Sequence, residues 1–432
     1  MRASGGLGRR VAMIGSGSRG DLQAFVALGK GLAAAGHDVT IATHRSFESL
    51  IRENGLAFHQ LSGDSEQFIK GAAGIALRDK WRDPVSPIRF ANRFLGPFMD
   101  RFLAETLAVC RDADAVLYWP FLRIGPSITE KLQVPSFAVA HYPMPYLSTG
   151  NFPNAFFNPW PRLERAFFYN RFTYAAARPF FWRLVREQLN RWRESLGLKP
   201  LTPREEARRV HGTPHILGFS TSVLPRPKDW PRDTHATGYW FLDTDPSEAR
   251  PPGLDSFLAA GPPPVCIGFG SMTGRKPAEL TELALEALRR ANVRGVLLTG
   301  WGALRGATLP ESVFAVDAVS HDWLYPRMAA VVHHGGSGTT AAAVRAGVPQ
   351  IITPFGFDQA LWGRRIEHLG IGPAPVAHTE LSAERLTAAI VEATGSESIR
   401  RRALELGECV RSEDGIGRAL DLLNDYCARG VA

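Results

Sequence analysis

The chain of 432 residues holds only 4 cysteines and 6 methionines. Cys110, Cys266, Cys409 and Cys427 form no Cys-x-x-Cys pair and no regular spacing, which excludes a disulfide framework and a zinc ribbon and fits a reducing compartment. No window approaches the roughly 20 consecutive apolar residues that a membrane-spanning helix needs. Behind Arg2, Arg9 and Arg10 the apolar run extends only from Val11 to Ile14, too short for the core of a secretory leader. A cytoplasmic protein is expected, with any membrane contact peripheral and at the inner face. No lysine-rich tail or recognised nucleic-acid module accompanies the net charge of +8, so nucleic acid is not expected as a partner.

Composition is that of an ordinary globular protein, 45% hydrophobic and 21% charged with 42 Gly and 31 Pro, and the length suggests two large domains. Disorder, collagen-like repeats and coiled coil are excluded as the main state. The charge divides unevenly: 31 basic against 19 acidic residues up to Asp229, then 19 against 23 from Trp230 onward. The Pro-rich stretch Leu224 to Pro231 lies at this reversal and reads as a linker, because successive prolines resist both helix and central strand. The expected division is a first domain over residues 1–223, a linker over 224–232 and a second domain over 233–432, with the last helix able to fold back onto the first domain.

Both halves alternate strands with helices. Arg10 to Ile14 is an apolar run, Gly15 to Asp21 a Gly-rich loop, Phe25 to Ala33 carries helical periodicity, and Asp38 to Thr43 reads as a buried strand. Strand, loop, helix and strand make a βαβ unit of a parallel sheet covered on both faces. Residues 264–268, 293–299, 329–333 and 350–353 are strands of a second such unit, with helices from Ala278 to Arg290 and near Gln359 to Leu369. Two doubly wound α/β domains facing a central cleft are expected, with ligands at the carboxyl ends of strands.

The most informative segment is Val331-Val-His-His-Gly-Gly-Ser-Gly-Thr-Thr340, at a strand-to-helix turn. Glycines there allow close backbone approach, and the N–H groups of Ser337, Gly338 and Thr339 would leave the helix N-terminus toward an anion such as a diphosphate. A tight turn with an N-cap is the alternative. Downstream, Gly347-Val-Pro-Gln-Ile-Ile-Thr-Pro-Phe-Gly-Phe-Asp-Gln359 ends on a carboxylate and an amide side by side, suited to vicinal sugar hydroxyls, although Asp358 alone also reads as a helix N-cap. In the first half, Gly17-Ser-Arg-Gly-Asp21 places a carboxylate on the opening loop. Asp21 is either a base that removes a hydroxyl proton or a cap of the following helix, and both together only if one oxygen stays free.

These segments resemble the nucleotide-sugar-dependent glycosyltransferases of the GT-B fold, family-1 type, which include sterol, macrolide, glycopeptide and plant and animal UDP-glycosyltransferases. HHGGSGT with GVPQIITPFGFDQ resembles their donor signature. GSRGDLQ with GHDVTIATH resembles the opening of the bacterial and sterol-glucosyltransferase branch, except that Ala24 follows Gln23 where proline is usual. The resemblance implies that His334 and residues Gly336, Ser337, Gly338 and Thr339 hold the donor diphosphate and that Ser271 adds a hydroxyl. It implies that Asp358 and Gln359 hold the sugar and that Asp21 stands at the catalytic position, within the cleft loop Gly17, Ser18, Arg19 and Gly20. Asp317 to Ser320 lacks the Trp that stacks on the base in plant members, leaving base recognition to backbone near Val319 and to aromatics such as Trp301.

No metal and no other cofactor is expected. No Asp-x-Asp lies beside the donor loop, and the adjacent His333 and His334 would point to opposite sides. A helix N-terminus with His, Ser and Thr donors can offset a leaving diphosphate. Between Phe156 and Arg193, twelve aromatics are interleaved with eight arginines and two glutamates. Core packing, a wall for a lipophilic acceptor, and contact with anionic lipid all fit that texture. The expected activity is metal-independent, inverting transfer of a hexosyl group from a UDP- or dTDP-sugar to a hydroxyl of a hydrophobic small molecule, a polyketide, sterol-like or other secondary-metabolite aglycone. A membrane-surface glycolipid transferase and a non-catalytic auxiliary protein of the same fold are the rivals.

Overall fold

Val11 to Ile14 are all buried, the mark of a strand covered on both faces. In the computed structural model, which describes residues 10–63, 96–158, 160–244, 250–270, 277–299, 309–356 and 358–429, two sheets are built from such strands. The chain divides into two compact units, one comprising Met1–Thr221, Pro225–Leu242 and Asp414–Ala432, the other Ser222–Leu224 and Asp243–Glu413.

In the first unit the strands are β1 (Arg10–Ile14), β2 (Asp38–Thr43), β3 (Ala57–Gln60), β4 (Ala115–Tyr118), β5 (Ser136–Ala140), β6 (His215–Leu217) and β7 (Thr234–Ala236). Its helices are α1 (Arg19–Ala34), α2 (Glu48–Glu53), α3 (Gly96–Cys110), α4 (Gly125–Leu132), α5 (Phe167–Ser195) and α6 (Pro203–Gly212). The sheet runs β3-β2-β1-β4-β5-β6-β7, and every pairing is parallel. Because β1 has β2 on one side and β4 on the other, the order reverses there, and the loop after β1 opens at the point where doubly wound sheets bind ligands.

The second unit carries α7 (Leu254–Ala259), β8 (Val265–Gly268), α8 (Pro277–Ala291), β9 (Gly295–Leu298), β10 (Val313–Val316), α9 (His321–Leu324), β11 (Ala330–His333) and α10 (Ser337–Ala346). Then follow β12 (Gln350–Ile352), α11 (Gln359–Leu369), α12 (Ala383–Gly395) and α13 (Glu397–Arg411). Its sheet runs β10-β9-β8-β11-β12, again parallel, and reverses between β8 and β11. The last helix, α14 (Gly415–Ala428), belongs to the first unit, where Ala419, Leu423 and Tyr426 join the same apolar cluster as Phe25 and Leu28 of α1. Fully burying each such large side chain contributes about 1.5–3 kcal/mol.

Two expectations change. The stretch 224–232 is not a linker: Trp230 is buried, its indole Nε1 donates to the Leu147 carbonyl at 3.1 Å, and β7 then adds a seventh strand to the first sheet. Proline forbids a central strand, but a turn tied down by a buried ring satisfies it, so the first unit extends to Leu242. Pro179 reads from the sequence as a kink or break, and α5 runs 29 residues through it without a break.

Candidate active site

The loop after β1 is fixed by the helix it starts. Ser18 is the N-cap of α1, and Asp21 Oδ2 accepts hydrogen bonds from the Ser18 backbone N–H and from Ser18 Oγ, both at 2.7 Å. Gly17 has φ +124°, and a Cβ on it would stand 2.6 Å from Asp21 Oδ2. The glycine therefore lets the chain pass behind the carboxylate without displacing it. Capping occupies one oxygen of Asp21. Its other oxygen, Oδ1, faces His141 Nε2 at 3.8 Å.

His141 follows β5 directly and is buried, packed edge-on against Tyr142 at 4.7 Å. Burial pushes its pKa below the ordinary histidine value, opposed by the nearby Asp21 charge. Its Nδ1 is buried without a hydrogen-bond partner. Nothing in the sequence singles out His141, although its place one residue beyond a strand's carboxyl end is a usable signal. Parallel strands bring the loops after β1 and β5 to one sheet edge across β4. On the same edge, Ser16 Oγ bonds His44 Nε2 at 3.0 Å, which holds the start of the loop. Arg19 is exposed and Gly20 half-buried.

In the second unit, His333 ends β11 and is wholly committed. Its Nδ1 accepts from the Gly335 N–H at 3.1 Å, so its Nε2 carries the hydrogen donated to Gln350 Oε1 at 2.9 Å. Burial pushes its pKa down to about 3. His334, partly exposed, points elsewhere, its ring nearly perpendicular to that of His333 at 84°. Burial first and the His321 ring second hold its pKa at about 4, so the imidazole is neutral near pH 7. A Cβ on Gly336 would stand 2.5 Å from His334 Nε2, which explains glycine at the N-cap of α10.

The first bond of the α10 ladder is Thr340 N–H to Gly336 O at 2.9 Å, leaving the N–H groups of Ser337, Gly338 and Thr339 ahead of it. Ser337 Oγ, Thr340 Oγ1 and His334 Nδ1 are all buried without a partner. One turn thus gathers oriented N–H groups, two hydroxyls and a neutral imidazole, a set that suits an anion with several oxygens. Thr340 is an addition to the sequence reading; Thr339, which was expected, is half-buried.

Asp358 is the residue before α11, and its Oδ2 accepts from Trp362 Nε1 at 2.9 Å. Gln359 is buried, and its Oε1 accepts from the N–H groups of Phe355 at 2.7 Å and Gly356 at 3.2 Å, so it staples the loop that precedes it. Each side chain therefore has a structural commitment. Val319 is half-buried between β10 and α9 and packs on the cluster containing Leu324 and Tyr325. Ser271 and Trp301 lie outside the described residues. Among the described residues no group of three or more His, Cys, Asp or Glu side chains is placed to hold a metal ion.

Two α/β units with parallel sheets, each with its loop cluster at a strand-order reversal, define the GT-B class of fold. The glycosyltransferase family 28 N-terminal domain matches residues 11–145, and the erythromycin biosynthesis protein CIII-like C-terminal domain matches residues 302–414. Each half of the chain is thus similar to a glycosyltransferase domain of the family-1 UDP-glycosyltransferase type. It is 36% identical over 427 residues to a sterol 3-beta-glucosyltransferase of Neosartorya fischeri, an alignment covering 96% of this chain but 29% of that protein. It thus spans under a third of the length of such relatives. Among solved structures, the glycotransferase of kitacinnamycin superposes with TM-score 0.70 at 19% identity, covering 99% of this chain and all of that one. Glycosyltransferase VinC in complex with dTDP superposes with TM-score 0.66 at 21% identity, covering 97% and 99%.

Proposed function

We propose that the chain is an inverting, metal-independent glycosyltransferase that moves a hexosyl group from a UDP- or dTDP-sugar to a hydroxyl of a lipophilic small molecule. The observation that carries the reading is the α10 turn, where Ser337 Oγ, Thr340 Oγ1 and His334 Nδ1 are buried without partners beside unpaired N–H groups. A nucleoside diphosphate would satisfy them together. Its developing negative charge on departure would meet oriented dipoles and a neutral imidazole donor rather than a cation.

The base would come from the first unit. Asp21 Oδ1 takes the proton of the acceptor hydroxyl as that oxygen attacks the anomeric carbon from the face opposite the leaving diphosphate, which inverts the configuration. The Ser18 bonds to Oδ2 fix the carboxylate's orientation, and neutral His141 leaves Oδ1 uncompensated by a formal charge. Asp358 and the Gln359 amide would hold sugar hydroxyls.

A sterol-like acceptor is favoured by the sterol 3-beta-glucosyltransferase relatives, with a polyketide or other secondary-metabolite aglycone as the second acceptor class. Uracil and thymine both stand as the base in the proposal, the latter supported by the dTDP complex of VinC. A cytoplasmic site of action with peripheral contact at the inner membrane face completes the reading, supported by exposed aromatics on α5. No helix among the described residues is long and apolar enough to cross a membrane.

The test is a mass-spectrometric screen of UDP- and dTDP-sugars against sterol and polyketide alcohols, with and without EDTA. Glycoside formation unaffected by EDTA and lowered at least about 100-fold in Asp21→Asn is expected. EDTA-sensitive turnover overturns the metal-free mechanism, and full activity of the variant overturns the base assignment.

A further inference from the structure

Of the eight large apolar side chains that stand exposed among the described residues, six fall between Phe157 and Phe172: Phe157, Trp160, Leu163, Phe167, Phe168 and Phe172. Phe168 is 84% exposed and Trp160 57%. The aromatic stretch therefore divides in two. Phe156 and Phe181 turn inward and pack edge-on with each other at 5.7 Å and with Phe121, whereas the rings around the start of α5 face outward.

At roughly 100° per residue, Phe168, Phe172, Ala175, Pro179, Arg183 and Arg186 share one face of α5. All six are exposed. The face is apolar over its first three turns and cationic thereafter. Arg193 is buried against Glu130 and Ser127, and Arg191 lies 3.7 Å from Asp100, but Arg162, Arg165, Arg183 and Arg186 are exposed and pair with no carboxylate among the described residues. Arg171 lies over the Phe167 ring at 6.0 Å. Glu187 and Glu194 are the exposed carboxylates of α5.

We propose that this face docks on an anionic phospholipid bilayer, with Trp160, Phe168 and Phe172 entering the headgroup boundary and Arg162, Arg165, Arg183 and Arg186 meeting lipid phosphates. Aromatic rings and arginines together match the two halves of such an interface, one apolar and one anionic. A second copy of the chain fits poorly, because a two-fold contact through this face would bring arginines against arginines. The docking stands on the surface alone; its purpose, capture of an acceptor dissolved in the bilayer, rests on the transferase reading.

The experiment is flotation with vesicles of phosphatidylglycerol and phosphatidylcholine, compared with phosphatidylcholine alone, for the wild type, F168S/F172S and R183E/R186E. Binding to the anionic vesicles is expected, weaker by about tenfold or more on neutral vesicles, at high salt and in either double variant. Absence of wild-type flotation overturns the proposal, as does equal flotation of the variants or a dimer in sedimentation that F168S/F172S dissolves. Nucleoside-diphosphate release with a water-soluble acceptor is expected to be unchanged in F168S/F172S. Flotation without any transferase activity would remove the catalytic reading and leave the docking surface intact.

Discussion

His141 Nε2 lies 3.8 Å from Asp21 Oδ1, while Asp21 Oδ2 is held at 2.7 Å by the backbone N–H and the hydroxyl of Ser18. One carboxylate thus starts a helix with one oxygen and meets a buried imidazole with the other. Burial favours the neutral imidazole, and Asp21 favours the charged one.

Replacing His141 by Asn is expected to lower kcat by about tenfold or more while leaving KM for the donor nearly unchanged. The kcat profile should carry a step from His141 in the wild type that the variant lacks. Because the His141 pKa is depressed, its step belongs below the ordinary histidine range. An unchanged pH profile in the variant would restrict His141 to packing.

Gly17→Ala places a methyl 2.6 Å from Asp21 Oδ2 on a backbone with φ +124°. Gly36→Ala, at φ +92° with nothing within 4 Å, carries the backbone strain alone. Both should lose about 1 kcal/mol or more of stability, but only Gly17→Ala should lose transfer activity, by at least about tenfold. Equal activity in the two variants would show that the Asp21 orientation is not held by this contact.

Gln359→Glu keeps an acceptor for the N–H groups of Phe355 and Gly356 but loses the amide donor, whereas Gln359→Leu loses both. The first should raise KM for the sugar nucleotide with a small change in Tm. The second should also destabilise by about 1–3 kcal/mol, since it leaves the buried Phe355 N–H and the part-buried Gly356 N–H unpaired. If Gln359→Glu leaves KM untouched, the side chain only staples its loop.

Stability should fall as pH drops. The folded pKa values of His333, at about 3, and of His215, His321 and His334, each at about 4, lie below the unfolded value of about 6.5. The unfolded chain therefore binds protons that the native chain refuses, and stability present above pH 6.5 is lost progressively toward pH 4. Tm measured from pH 8 to pH 4.5 should be level above about 7 and decline below about 6.5; a flat profile would contradict the burial of these rings.

Local chemistry made much of this protein legible from its residues alone. Apolar runs ending in glycine loops and followed by 3.6-residue periodicity define βαβ units, and the HHGGSGT turn carries its helix N-terminus wherever the fold places it. The sequence could also state the condition on Asp21, that capping and catalysis need separate oxygens. Which oxygen is free, and what faces it, depends on a residue 120 positions away that only parallel strand order brings to the same sheet edge. The same holds for Trp230, whose prolines read as a linker until its indole is seen buried against Leu147. Likewise, aromatics and arginines between Phe156 and Arg193 look alike in composition. Only packing separated Phe156 and Phe181, which face the interior, from Phe168 and Phe172, which face solvent, because burial is a property of long-range contacts rather than of residue type.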